Sequence, residues 1–137
     1  MLVLDTSALV ALLDANDDHH LRCVTLVDDV GEDLAVPAPV LVEVDYWSRK
    51  RIGLEAFTTL AEDLAAGAYR LLNLDEDDLL RAAELESTYA DLDLGFVDAA
   101  VIATCERLRE DKVATLDRRH FSVVRPRHCD ALRLLPE

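Results

Sequence analysis

Few residues in this 137-residue chain could brace it covalently or interrupt it. There are three cysteines, Cys23, Cys105 and Cys129. They are odd in number, far apart and form no CxxC pair, which argues against a disulfide framework or a cysteine zinc site. Reduced thiols are the expectation. With four Gly and four Pro, no stretch reads as a linker, and there is neither an internal repeat nor a low-complexity segment. One domain over residues 1–137 is expected. No run reaches the ~18 uncharged apolar residues of a membrane span. The N-terminus lacks the basic start and cleavage site of a signal peptide. Met1 leads straight into apolar sequence, so a cytoplasmic protein with no membrane partner is expected.

Positive charge is also scarce. Fourteen Lys and Arg face 28 Asp and Glu, a formal net charge of −14. That balance speaks against nucleic-acid binding, but its distribution softens the objection. Residues 107–137 carry eight Lys/Arg against five acids, a net of +3, so residues 1–106 carry −17. A second basic run, Arg49-Lys50-Arg51, sits in the acidic part. The acidic run at 75–78 reads as the first turn of a helix, where the dipole favours negative charge.

What the chain does have is 51% hydrophobic residues, enough for a real core, and four carboxylates placed inside apolar runs. Asp5 is the one formal charge in MLVLDTSALVALL. Glu43 lies in VPAPVLVEVDYW, Asp98 in FVDAAVIATC and Asp117 at the end of KVATLD. Burying a lone carboxylate is costly unless something pairs with it. Four such residues point to one shared partner, a divalent cation. All-oxygen ligation suits Mg²⁺, with Mn²⁺ as a substitute. Such sites work on phosphate esters.

Each acid also has a plainer reading. Asp5 could cap a helix, and Asp117 could be a turn residue paired with Arg118 or Arg119. Glu43 could pair with the 49–51 run, and Asp98, on one helix face with Ile102 and Cys105, could have a buried structural partner. Their coincidence carries the case. Asp93 reads as a cap rather than a site residue, and Asp45 as exposed. His19, His20, His120 and His128 lie in polar surroundings and read as surface. His120, close after Asp117, is the best exception.

Strands are expected at 2–4, 34–37, 69–74, 113–116 and 131–135. Helices are expected at 7–15 (capped by Thr6 or Ser7), 18–30, 40–51, 54–67, 76–90 and 96–110. Strands alternating with helices imply an α/β fold with a mainly parallel sheet. Its strands should be apolar throughout, because both faces are covered. Ligands then bind beyond the carboxyl ends of the strands, where strand order reverses. Asp5 and Asp117 follow strands, while Glu43 and Asp98 open helices, so all four can converge there.

Four segments, LDTSALVALLD, LVEVDYW, GFVDAAVIATCERL and ATLDRRHF, resemble the PIN-domain ribonucleases. Among these, the chain is most similar to the VapC toxins of VapBC toxin–antitoxin pairs, over almost its whole length. The resemblance implies a three-layer α/β/α domain with about five parallel strands in the order 3-2-1-4-5. It implies an acidic quartet of Asp5, Glu43, Asp98 and Asp117, with Mg²⁺ held by Asp5 and Asp98. Thr6, Ser7 and Thr115 fall where such domains carry supporting hydroxyls. It further implies RNA, tRNA or rRNA, as substrate, a small VapB-like antitoxin as partner and a homodimer. RNA would approach through Arg118, Arg119, Arg49 and Arg51. The Tyr46-Trp47 pair would wall the antitoxin's groove, or else belong to the core. The helices at 40–51 and 54–66, with Leu41, Val44, Trp47, Phe57 and Leu60, would supply the dimer's apolar surface.

Two other classes fit less well. An aspartyl phosphotransferase of the haloacid-dehalogenase type wants a second Asp at position 7, which is Ser. A receiver domain wants an acceptor Asp directly after the third strand and a Lys near the fifth. Here that strand ends in Asn73-Leu74-Asp75, and no Lys follows Lys112. A non-catalytic PIN-like binding module would be marked by a missing acid, and none is missing.

Overall fold

A computed structural model describes residues 1–137. β1 (Leu2–Leu4) leads into α1 (Thr6–Leu13) and α2 (His20–Asp29). β2 (Leu34–Pro37) is followed by α3 (Ala38–Arg51) and α4 (Leu54–Ala65). Then come β3 (Arg70–Leu72), α5 (Glu76–Thr88), a single turn at Ala90–Leu92 and α6 (Phe96–Leu108). β4 (Lys112–Ala114), α7 (Arg118–Phe121) and β5 (Arg133–Leu135) complete the chain.

All five strands are parallel, in the order β3-β2-β1-β4-β5. This is the expected order, and it differs from the 2-1-3-4-5 of receiver-like sheets. Parallel crossovers are right-handed. The chain steps one way from β1 to β3 and then crosses to β4, so its helices fall on both faces. α1 packs on α2 and α3, α3 packs on α4, and α5 packs on α6. Leu2, Val3, Leu4, Ala35, Val36, Val113 and Ala114 are fully buried in one core of 25 residues. Their burial on both faces accounts for their unbroken apolar runs.

Local chemistry sets the boundaries. Pro39 falls in the first turn of α3, where its missing N–H leaves nothing unpaired. Gly53, at φ +145, turns the chain sharply from α3 into α4. Asp75 caps α5 by accepting from the Asp78 N–H at 2.8 Å, and the Asp78 carboxylate answers the Asp75 N–H at 3.1 Å. Asp78 also receives Arg107 at 2.9 Å, so part of the acidic run is neutralised rather than solvated.

Some expectations need correcting. Neither Thr6 nor Ser7 caps α1. Asp5 holds that position, and its side chain makes no capping bond. β3 is shorter than expected and its residues are largely exposed, because it is an edge strand with a neighbour on one side. α7 is a single turn, too short for hydrophobic periodicity to reveal. Val44 and Leu60 belong to the core and are not spare apolar surface. Exposed apolar groups do occur on the same two helices: Trp47, as expected, together with Val42, Tyr46 and Leu54. The Tyr46-Trp47 pair is outside the core, in edge-on contact with ring centroids 5.0 Å apart.

Candidate active site

The strand order reverses between β1 and β4, and the acids gather there. Asp5 leaves β1 with its backbone N–H bonded to the Ala114 carbonyl of β4 at 2.9 Å. Its side chain is only 3% exposed. One carboxylate oxygen, Oδ2, accepts the Thr115 hydroxyl at 2.8 Å and the Ser7 hydroxyl at 3.3 Å. The other, Oδ1, is buried and has no partner. Thr115 also accepts the Asp117 N–H at 3.0 Å, and Ser7 accepts the Leu116 N–H at 2.8 Å. The two hydroxyls therefore tie the end of β1 to the loop after β4.

Glu43, on α3, accepts the Thr6 hydroxyl at 2.7 Å, so its partner comes from α1 and not from the 49–51 run. Asp98 lies in the first turn of α6, 20% exposed. Asp117 caps α7 through the His120 N–H at 3.2 Å. His120 also donates from Nδ1 to Asp117 Oδ2 at 2.7 Å and stands 3.7 Å from Asp98 Oδ2. Its ring is therefore part of the site. Closeness to Asp117 was its one signal in the polar RRHF sequence, and one turn of helix swings the ring back over that residue.

A cavity of about 430 Å³ holds all four acids together with Asp17. Trp47 and Arg51 form part of its wall on α3, and the Arg51 guanidinium lies 5.6 Å over the Trp47 ring. Arg51 also reaches Asp17 at 3.6 Å. Asp17 has no apolar setting in the sequence, so nothing there marks it. Of the other three cations expected to meet RNA, Arg49 pairs with Asp45 at 2.7 Å on the outside of α3. Arg118 donates to the Pro136 carbonyl at 2.8 Å, and Arg119 is exposed beside it. Asp93 is exposed in a left-handed turn and does not line the cavity. A larger groove, about 760 Å³, runs between α2 and the end of β5. Its cations are already engaged, Arg22 by the Glu137 carbonyl and Lys112 by Glu32, so the smaller acidic cavity is the chemically distinctive one.

Burial, with charge crowding added to it, raises the pKa values of two of the acids. Burial pushes Asp5 up to about 6, against the pull of the Thr115 hydroxyl and with Glu43 and Asp117 adding repulsion. Asp98 is pushed up to about 7 by burial and by repulsion from Asp5 and Asp117, while His120 opposes the rise. The Asp117 hydrogen bond holds the His120 imidazole above its ordinary value. An orphaned buried carboxylate oxygen among mutually repelling acids suits a small, hard cation. The oxygen donors fit Mg²⁺ or Mn²⁺, and the carboxylates of Asp98 and Asp117 with the His120 ring form a second compact donor group.

The sequence matches the PIN domain family over residues 2–125. It is 36% identical over 125 residues to Ribonuclease VapC26 of Mycobacterium tuberculosis, covering 91% of this chain and 93% of that protein. Among solved structures, it is similar to M. tuberculosis VapC20, a sarcin-ricin loop cleaving toxin, with TM-score 0.77 and 21% identity over 82% of this chain and 87% of that one. The FitAcB structure from Neisseria gonorrhoeae matches with TM-score 0.65 and 22% identity over 86% and 88%. VapBC2 of Rickettsia felis, bound to a promoter DNA fragment, matches with TM-score 0.63 and 15% identity over 88% and 90%. These three share the fold.

Proposed function

Because the chain belongs to the PIN domain family, we propose that it is a metal-dependent endoribonuclease and the toxin of a type II toxin–antitoxin pair. The observation that carries the reading is the buried Asp5 carboxylate, with Oδ1 unpartnered, at the centre of an acidic cavity on this frame. Asp5 and Asp98 would hold Mg²⁺, with Glu43 and Asp117 completing the pocket. When bound, the ion supplies a water of lowered pKa and offsets charge on the phosphate oxygens. The protein's own groups do the positioning. Thr115 and Ser7 fix Asp5 so that one oxygen faces its neighbours, and Thr6 fixes Glu43. Trp47 offers a ring face to a base of single-stranded RNA, and Arg51 offers a cation to the backbone. A tRNA or an rRNA loop is the substrate class, as for the relative that cleaves the sarcin-ricin loop.

The acidic cavity also indicates how an antitoxin would act. An Arg or Lys from a partner's tail would satisfy the same carboxylates that a cation satisfies. Cleavage of total RNA and of single-stranded DNA, each with Mg²⁺ and with EDTA, tests the reading. RNA cut only with Mg²⁺ is expected, with Asp5→Asn and Asp98→Asn folded and at least 100-fold slower. Cleavage at the wild-type rate by either variant would refute the assignment. Co-expression of the neighbouring small protein is expected to relieve toxicity.

A further inference from the structure

We propose that His120 is a metal ligand, giving this site a nitrogen donor beside its carboxylates and so a preference for first-row transition ions over Mg²⁺. The inference rests on the metal-dependent reading above and adds to it the identity of one ligand. Its basis is geometric. His120 Nδ1 lies 2.7 Å from Asp117 Oδ2 and 3.7 Å from Asp98 Oδ2, and one ligand atom from each residue falls within 4.8 Å of the others. Taking the ion would release to solvent the proton that Nδ1 now shares with Asp117, freeing its lone pair. Ligand atoms at adjacent corners around an octahedral ion with ~2.1 Å bonds are about 3 Å apart, so these spans bracket that edge. The ring is 18% exposed and is anchored through its own backbone, whose N–H caps onto Asp117 Oδ1. The backbone that carries the ring is therefore fixed beside Asp117. An independent sign that a cation belongs here is the Asp5 carboxylate, 3% exposed and with an unpartnered oxygen, in the cavity that Asp98 and Asp117 also line.

A nitrogen ligand changes selectivity. Mg²⁺ takes oxygen donors and keeps its waters, whereas first-row transition ions accept imidazole readily. His19 is the histidine that lines the cavity itself, and its Nδ1 faces Arg22 at 3.2 Å. It serves as the internal control.

The test uses tag-free protein loaded with Mn²⁺ and read by pulsed electron paramagnetic resonance, which detects ¹⁴N bound to the metal. Wild type and His19→Asn are expected to show ¹⁴N modulation, and His120→Asn to lose it. Asn at 120 keeps a short donor to Asp117, so loss of signal would not reflect collapse of the turn. Calorimetry is expected to show at least a tenfold loss of Mn²⁺ affinity in His120→Asn with Mg²⁺ affinity unchanged. Mn²⁺ bound without ¹⁴N modulation, or modulation that persists in His120→Asn, overturns the inference and leaves the metal-dependent reading standing. Failure of wild type to bind any Mn²⁺ overturns both.

Discussion

Asp98 and Asp5 show how a single residue can make a protein's stability depend on its ligand. Both carboxyls have folded pKa values above the ordinary 3.8, at about 7 and about 6. Between pH 4 and 7 the folded state therefore binds more protons than the unfolded one, and stability falls as pH rises through that window. At about 1.4 kcal/mol per pKa unit, Asp98 alone accounts for a loss on the order of 2–4 kcal/mol. Metal-free protein in EDTA is thus expected to melt several degrees lower at pH 8 than at pH 5.5. Asp98→Asn should flatten that dependence and raise the melting temperature at pH 8. Mg²⁺ should restore stability to wild type and give the variant little. A wild-type melting temperature that does not change with pH would show that burial and crowding do not raise these carboxyls. The four acids were legible in the sequence because each interrupts an apolar run. Asp17 was not, because it lies among polar residues and enters the site only through tertiary placement, and His120 was marked only by its closeness to Asp117.

At the scale of elements, α3 does the most. Its inner face buries Val40 and Val44, its opening turns carry Glu43, and Trp47 and Arg51 extend the cavity wall one turn on. Trp47 is 41% exposed, a large aromatic surface left in solvent beside an acidic pocket. If that ring stacks on a base, Trp47→Ala should weaken RNA binding by about 1–3 kcal/mol while the acids and the metal affinity stay as they were. Trp47→Phe should recover much of the loss. Equal cleavage and binding by Trp47→Ala would remove the stacking role. Helix α3 was readable because Pro39 and Gly53 punctuate it. Which cations face the site was not. Arg49 and Arg51 differ by two positions, about 200° around the helix, and only the latter reaches the cavity.

At the scale of the whole molecule, the −14 charge and an RNA substrate pull against each other. A second copy of the chain would ease that conflict by bringing two sets of basic side chains together. The outward face of α3 and the start of α4 leave Val42 74% and Leu54 70% exposed, an apolar surface of the kind that marks an interface. Light scattering at micromolar concentration is expected to give twice 15.2 kDa. Val42→Asp together with Leu54→Glu should return the mass to that of one chain. A mass of 15.2 kDa for the wild type would remove the dimer. The sheet order itself was foreseen through the family resemblance, since periodicity alone identifies strands but not their neighbours. One connection matters beyond stability. Asp5 is held by Thr115, 110 residues later, and Asp117 follows two positions after that. During synthesis the first acid emerges long before the residues that orient it. If Asp5 and Asp117 act together as proposed, a nascent chain would be harmless to the RNA around it until β4 docks against β1, and the order of translation would itself delay the onset of toxicity.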